Sequence, residues 1–359
     1  MPIDFSADRW QEVRENYRRW WAGDLKRPLI QFSLCGRDPG RAEPKLPMRH
    51  FTAHYGFEVP SAAIVNRWDY ELSQQKFIGD GFPSIWPNFG PGCVAAFLGG
   101  VGESDENTVW FHPARELKPE EIHFEFDPQA QWFQRIAELS RLAMERWHGL
   151  VQVGMTDLGG NLDILSSFLP SEQLLLALYD QPADVKRVTW EAHEMWWRYF
   201  RELNRALQPV NPGYTAWCPI YSESPYYMLQ CDFCYMIGPK MFDEFVRPEL
   251  AASCQRLTNA FYHLDGKGEL PHLDSLLSIK ELNGVQWVPG DGAPDITNWP
   301  EVYRKIRKAG KRIQIYGGPR ELDALVNQLG TGEGIILIGT HKIEQEAELT
   351  AWMKKYGAA

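Results

Sequence analysis

The sequence predicts an α/β protein whose fold is a (β/α)8 TIM barrel. Eight short runs rich in β-branched and aromatic residues carry this prediction, because most of them are followed by a stretch with helical periodicity. Alternating strands and helices imply a parallel sheet, and eight such units imply that the sheet closes. The alternative is an open, doubly wound sheet. The predicted strands begin near residues 29, 77, 150, 214, 260, 285, 312 and 335.

The helical segments complete the prediction of one domain over residues 1–359. An aromatic-rich helix within residues 1–25 precedes the first strand and ends at Gly23, and an insertion occupies residues 93–148. Pro182 suits the first turn of a long helix. The predicted helices span residues 7–22, 129–148, 171–180, 182–207, 239–258, 299–309, 320–329 and 343–356.

Composition excludes several classes of protein. The chain has 359 residues, 44% of them hydrophobic and 23% charged, and a net charge of -10, which argues against a nucleic-acid surface. No stretch reaches the ~20 apolar residues of a membrane span, and no secretory signal is expected. A cytoplasmic location with six reduced cysteines is therefore predicted. The oligomeric state is left open, a homodimer being one alternative.

The stretch 260–269 is the centre of the functional prediction. It combines a short strand with two glycines and the start of a helix. Alternate strand residues share a face, so His263 and Asp265 point the same way at the strand's carboxyl end. In a parallel barrel this end carries the chemistry. We expect Asp265 at the bottom of an active pocket.

Polar and aromatic residues follow the other predicted strands as well. A barrel would bring their loops around one cavity, although surface loops are commonly polar for no functional reason. Asp265, Glu223 and Asp157 are the predicted proton-transfer residues, since carboxylates in one enclosure repel one another and one of them can then act as an acid. The predicted substrate-binding residues are Arg37, Trp86, Asn88, Asn161, Asp291 and Tyr316.

A metal site is the second functional hypothesis. His263 and Asp265 have chelating spacing, and His341 could add a ligand from the last strand. Such a site would hold a divalent metal, with zinc preferred. The alternative is a His–Asp hydrogen bond that needs no metal. Cys231 and Cys234 form a C-x-x-C without a second pair, which favours a structural role.

Several motifs resemble those of the uroporphyrinogen decarboxylase superfamily, which also contains zinc-dependent, corrinoid-linked methyltransferases. The segment 231–250 resembles a superfamily signature, and residues 262–266 lie where the methyltransferases have H-x-C-G. Gly317-Gly-Pro319 lies near their G-N turn. The chain is most similar to a less-characterised branch with R-P-L-I, W-P-N-x-G-P-G, D-L-G-G-N-L-D-I-L and Y-H-L-D-G, found here at 27–30, 86–92, 157–165 and 262–266.

This resemblance implies a β/α barrel enzyme acting on a small methylated or carboxylated molecule. Two departures bear on the reaction: Ser33 replaces the first arginine of the decarboxylases' anion clamp, while Arg37 keeps the second, and Asp265 replaces a methyltransferase cysteine. The leading expectation is metal-assisted methyl transfer or demethylation of a small-molecule substrate, with a corrinoid protein as acceptor. The alternatives are cofactor-independent decarboxylation and a barrel that binds a ligand without converting it.

Overall fold

Strands and helices alternate along most of the chain around a large, mainly parallel sheet. The structure, a computed structural model, describes residues 2–104, 108–115, 117–208 and 210–359. The strands are β1 (Leu29–Cys35), β2 (Gln75–Gly79), β3 (Ser84–Ile85), β4 (Val101–Ser104), β5 (Val109–His112), β6 (Gln152–Val153), β7 (Tyr226–Leu229), β8 (Asn259–Asp265), β9 (Gly284–Val288), β10 (Arg312–Tyr316) and β11 (Ile335–Lys342).

The α-helices cover the sheet and fill the insertion. The longest is a 26-residue helix that begins at Pro182. The helices are α1 (Ala7–Ala22), α2 (Ser61–Ser73), α3 (Val94–Phe97), α4 (Gln131–Trp147), α5 (Asn161–Ser166), α6 (Ser171–Asp180), α7 (Pro182–Leu207), α8 (Pro239–Met241), α9 (Arg247–Arg256), α10 (Leu273–Leu277), α11 (Pro300–Lys308), α12 (Pro319–Leu329) and α13 (Glu346–Met353). A five-residue π-helix, Phe242–Val246, joins α8 to α9.

The main sheet has seven strands in the order β2-β1-β11-β10-β9-β8-β7. All neighbouring pairs are parallel except β1 and β2, which are antiparallel. A separate parallel pair joins β3 to β6, and β4 forms an antiparallel hairpin with β5. The protein therefore has a mixed α/β fold with a large parallel sheet, in which six strands end at the same edge.

Two of the predicted strands differ from the structure. The strand expected near residue 77 is present as β2, but it runs antiparallel to β1. The strand expected at residues 214–221 is not formed. Within residues 210–225 the only β-bridge joins Tyr214 to Ser222. Prolines that cannot donate a backbone hydrogen bond interrupt this segment at positions 212, 219 and 225. The chain instead forms its strand after them, as β7.

The other sequence predictions agree better with the structure. The N-terminal helix α1 has the predicted bounds and ends at Gly23, which adopts a left-handed conformation with φ of 81°. The strands predicted from residues 29, 260, 285, 312 and 335 are β1, β8, β9, β10 and β11. Among the residues that the structure describes, none of the helices combines the length and the apolarity that crossing a bilayer demands.

The Asp80 carboxylate joins the N-terminal helix to the sheet. It lies just after β2, is 1% exposed, and receives both guanidinium nitrogens of Arg27 at 2.6 and 2.8 Å. The Asn16 side chain on α1 and the Ile30 backbone N–H on β1 also donate to it, each at 2.9 Å. One buried carboxylate thus satisfies donors from three separate parts of the chain, as buried charges require.

We expect Asp80→Ala to lower the free energy of unfolding by about 3 kcal/mol or more, because it leaves the Arg27 guanidinium without its buried partner. Urea unfolding followed by circular dichroism measures this loss. The matched control is Glu15→Ala, which removes an exposed partner of Arg18 on the same helix and should cost about 0.5 kcal/mol or less. Equal costs for the two variants would contradict the structural role of Asp80.

Candidate metal centre and its cavities

The parallel pairing of β8 with β9 aligns the two residues at the centre of the site. His263 is opposite Gln286, and Asp265 is opposite Val288 at the carboxyl end of both strands. His263 and Asp265 lie on the same face of β8, as their spacing predicts. The His263 Nε2 atom is 4.0 Å from the Asp265 Oδ2 atom. This distance leaves space for a third group between them.

Buried glutamines fix the orientation of the His263 ring. The Gln286 side-chain oxygen accepts a hydrogen bond from His263 Nδ1, and the Gln286 amide nitrogen donates to the Gln314 side-chain oxygen. Because Gln286 offers its oxygen to the imidazole, Nδ1 carries the proton and Nε2 keeps a lone pair. Burial lowers the pKa of His263, against the opposing effects of Asp265 and of the hydrogen bond to Gln286. The ring is therefore neutral at neutral pH.

Asp232 is the third member of the group, and the sequence analysis did not predict it. One ligand atom from each of Asp232, His263 and Asp265 lies within 4.8 Å of the other two. Asp232 comes three residues after β7, which pairs with β8. The sequence did not reveal that Asp232 closely follows a strand, because the strand was predicted at residues 214–221 and not at β7. The resemblance of segment 231–250 to a superfamily signature was the sequence feature that could have pointed to Asp232.

The Asp163 carboxylate holds the backbone around Asp232. It accepts hydrogen bonds from the backbone N–H groups of Asp232 and Phe233 at 3.1 and 2.8 Å. It also accepts one from Gly160 at 3.1 Å, which caps the start of α5. A single side chain on α5 therefore positions the third member of the group relative to β8.

Acidic groups crowd this edge of the sheet, and their pKa values are raised. Burial and the charge of Asp232 raise the pKa of Asp157 to about 8, that of Asp163 to about 7 and that of Glu269 to about 10. The Asp232 carboxyl borders an open cavity, yet the surrounding protein and the charge of Asp265 raise its pKa to about 6. The cluster can thus hold protons at neutral pH.

Glu269 is a buried carboxyl that the sequence analysis also missed. It is 1% exposed, and the Tyr262 hydroxyl donates a hydrogen bond of 3.1 Å to its Oε2 atom. The Oε1 atom makes no hydrogen bond with the described residues. Since its pKa is about 10, Glu269 is protonated at neutral pH. A glutamate within the short helix after β8 gave no sequence signal of such burial.

Two cavities are each lined by a member of the group. We call the first the aromatic cavity; its volume is about 480 Å³, and its lining includes Trp110, Phe111, Asp163, Asp232 and Phe233. We call the second the loop cavity, because the loops after β9 and β10 form it; its volume is about 780 Å³. Three predicted residues, Asp265, Asp291 and Tyr316, line the loop cavity. The group therefore borders one cavity through Asp232 and the other through Asp265.

Two predicted residues lie buried behind the aromatic cavity. Asp157 is 7% exposed and accepts hydrogen bonds from the backbone N–H groups of Gly159 and Gly92. Gly92 itself lines the cavity. Asn161 donates a hydrogen bond of 2.7 Å to the buried Glu249. Asn161 thus connects α5 to α9, and its predicted contact with substrate stays a prediction.

Three further predicted residues bind to other parts of the protein. The Arg37 guanidinium donates to the backbone oxygen of Ser73 at 2.7 Å. Asn88 is tied to the loop before α2, since its side chain donates to the His50 backbone oxygen at 3.2 Å. Trp86 is half-buried next to β6. None of the three is among the described residues that line the two cavities.

His341 lies on β11, outside the group formed by Asp232, His263 and Asp265. Its ring packs edge-on against Phe32, with the ring centroids 4.6 Å apart. Its Nε2 atom is buried and has no hydrogen-bond partner among the described residues. Burial lowers the pKa of His341, and the charge of Glu321 opposes this. Its role as a metal ligand stays a prediction.

Glu223 is exposed and precedes β7 by three residues, so it lies at the amino end of that strand. The nearby Tyr221 contacts a different region, since its backbone oxygen accepts a hydrogen bond of 2.9 Å from Trp21 on α1. The predicted placement of Glu223 after a strand is wrong, because the strand forms after Glu223, as β7. The site lies at the carboxyl ends of the parallel strands, so Glu223 is not a member of the group formed by Asp232, His263 and Asp265.

Comparisons with known proteins agree with the fold. No protein family profile matches the sequence. The methyltransferase from Methanosarcina mazei has a similar structure, with a TM-score of 0.59 and 13% identity over 96% of this chain and 98% of that chain. A phosphoribosyl imidazole-4-carboxamide isomerase from Psychromonas ingrahamii is 33% identical over 89 residues, 23% of this chain. The chain covers 36% of that relative's length. The first similarity shows a shared fold.

The raised pKa of Asp157 predicts a pH-dependent stability. Its folded pKa of about 8 exceeds the unfolded value of about 4, so the folded state binds more protons between these values and loses stability as the pH rises through them. Asp157→Asn removes this titration. We expect the stability of the variant relative to the native protein to increase steadily from about pH 5 to pH 8 in urea unfolding.

The exposed Asp180 at the end of α6 provides the control. Asp180→Asn should shift stability by a similar small amount at every pH. The Asp157→Asn substitution also replaces one acceptor oxygen by a donor, and this cost is constant with pH. If the difference between Asp157→Asn and the native protein does not change with pH, Asp157 ionises normally in the folded state.

Proposed function

We propose that this protein is a metal-assisted methyltransferase or demethylase that takes a methyl group from a small methylated substrate. The acceptor in this proposal is a corrinoid protein, and the chain belongs to the corrinoid-linked branch of the uroporphyrinogen decarboxylase superfamily. One observation carries the proposal: Asp232, His263 and Asp265 converge at the carboxyl edge of a parallel sheet, and Asp232 and Asp265 each line a cavity. The fold shared with a methyltransferase supports it.

The proposal includes closure of the eight parallel strands into a barrel. The main sheet supplies six of them, and β3 and β6 supply two. Two hydrogen bonds lie beyond the strand ends near the expected seams: the Asp80 backbone N–H, between β2 and β3, donates to the Ile30 oxygen on β1 at 2.7 Å, and the Leu158 N–H, five residues after β6, donates to the Tyr227 hydroxyl on β7 at 2.7 Å. Such links are expected where β3 follows β1 and where β7 follows β6 around a barrel.

The donor set fits a divalent metal, with zinc preferred. Zinc accepts imidazole nitrogen and carboxylate oxygen, and catalytic zinc sites keep three protein ligands and one open position. His263 offers the lone pair of Nε2, because Gln286 holds the proton on Nδ1. Asp232 and Asp265 would neutralise the dication, which removes their mutual repulsion. When bound, the metal would act as a Lewis acid on the leaving group of the substrate.

The surrounding residues hold protons and orient the group. Asp157 is protonated at neutral pH, since its pKa is about 8, and it lies next to Gly92 at the wall of the aromatic cavity. This makes Asp157 the proposed proton donor for a leaving group that gains negative charge. Asp163 is a positioning residue, because it fixes the backbone of Asp232. The two cavities would admit the methyl donor and the acceptor.

The environment of Arg37 does not favour the decarboxylase alternative. Its guanidinium is held by the Ser73 backbone oxygen and lies 3.8 Å from the Asp4 carboxylate. A decarboxylase of this superfamily would need Arg37 to pair with a substrate carboxylate. The carboxylates around both cavities would also repel an anionic substrate.

Zinc binding tests the metal part of the proposal. We expect about one zinc per chain by elemental analysis of metal-stripped protein after reloading. Zinc at about 100 times its dissociation constant should stabilise the fold by about 2.7 kcal/mol. His263→Ala and Asp232→Ala should each abolish the stabilisation, because each removes one of three ligands.

The exposed Asp291 provides a matched control, because it lines the loop cavity without belonging to the group. Asp291→Asn should bind zinc as the native protein does. His341→Ala tests the predicted further ligand: a loss of affinity places His341 on the metal, and unchanged affinity removes it. Zinc binding that survives His263→Ala would refute the proposed centre.

Methyl transfer itself is tested with reduced cobalamin as the acceptor. The zinc-loaded protein is mixed with cobalamin and a panel of N-, O- and S-methyl compounds, and methylcobalamin is followed by its absorbance. Formation with at least one compound, and its loss in His263→Ala, is the expected result. Conversion of a carboxylated compound with release of carbon dioxide would instead support the decarboxylase alternative.

A further inference from the structure

The aromatic cavity combines an exposed tryptophan with a strongly acidic floor. Trp110 is 59% exposed on β5, and the strand alternates so that Val109 and Phe111 are buried while Trp110 and His112 are not. A large aromatic side chain that stays exposed inside a cavity is available to a ligand. The buried Phe111 and Phe233 add two further aromatic residues to the lining, and Phe233 is next to Asp232 in the sequence.

The charge of this cavity has one sign. Asp163 and Asp232 line it, and among the described lining residues there is no lysine or arginine. Three backbone N–H groups already donate to Asp163, and Asp232 is therefore the carboxylate with free acceptor capacity.

We propose that the aromatic cavity binds a small organic cation of the methylated ammonium class, with the cationic group against Trp110 and against the Asp232 carboxylate oxygen that is not a member of the metal group. The inference rests on the proposed function and names its substrate class. Indole faces attract quaternary ammonium groups through the ring quadrupole, and a carboxylate completes the recognition. A metal ion alone would need the carboxylates but would have no use for the exposed indole. The cavity volume of about 480 Å³ suits a small molecule.

Calorimetry with choline and its uncharged isostere 3,3-dimethylbutan-1-ol tests this proposal. The titration is run at about pH 8, where histidines are mostly neutral. We expect choline to bind at least about tenfold more tightly than the isostere, because only choline carries the charge. Trp110→Leu should weaken choline binding roughly fivefold or more. Equal binding of the two ligands, or no binding of choline, would overturn the proposal.

Trp190→Leu is the control, because Trp190 is a 42% exposed tryptophan on α7 that does not line the cavity. It should leave choline binding unchanged, and an equal loss in both tryptophan variants would overturn the assignment to the aromatic cavity. Zinc titrations separate this proposal from the metal centre. His263→Ala should lose zinc and keep choline, while Trp110→Leu should lose choline and keep zinc.

Discussion

The parallel direction of six strands in the main sheet is the constraint on which the site depends. Each of these strands ends at the same edge, so a residue placed last on a strand is brought beside the last residues of its neighbours. The register of β8 against β9 then decides which residues meet, and it aligns His263 with Gln286. A shift of β8 by one residue would turn the His263 side chain to the opposite face of the sheet. The geometry of the group is therefore a property of strand pairing.

Electrostatic repulsion accompanies this arrangement. Asp157, Asp163, Asp232 and Glu269 all have raised pKa values, so the folded state holds carboxyl groups together against their preference for ionisation in water. A compact cluster of this kind is typical of sites that bind a cation or transfer a proton. The backbone donors around Asp163 and the hydroxyl of Tyr262 compensate for part of the lost hydration.

The sequence predicted the strands whose signals are local. The alternation in β8 and the cap at Gly23 are readable because neighbouring residues determine them. The direction of β2 was not readable, since it depends on contacts with β1. The segment 214–221 has β-prone residues, yet Pro219 within it disfavours a ladder. This error misplaced Glu223 and left Asp232 out of the prediction.

The exposed tryptophan of the aromatic cavity and the strand residues of the candidate metal group belong to different sheets. Trp110 lies on the β4–β5 hairpin, which is a sheet of its own, whereas His263 and Asp265 lie on the main sheet. In the proposed function, substitutions in the hairpin would alter ligand preference without changing a hydrogen bond of the main sheet. The fold would then separate the side chain that selects the ligand from the strand that supplies the chemistry.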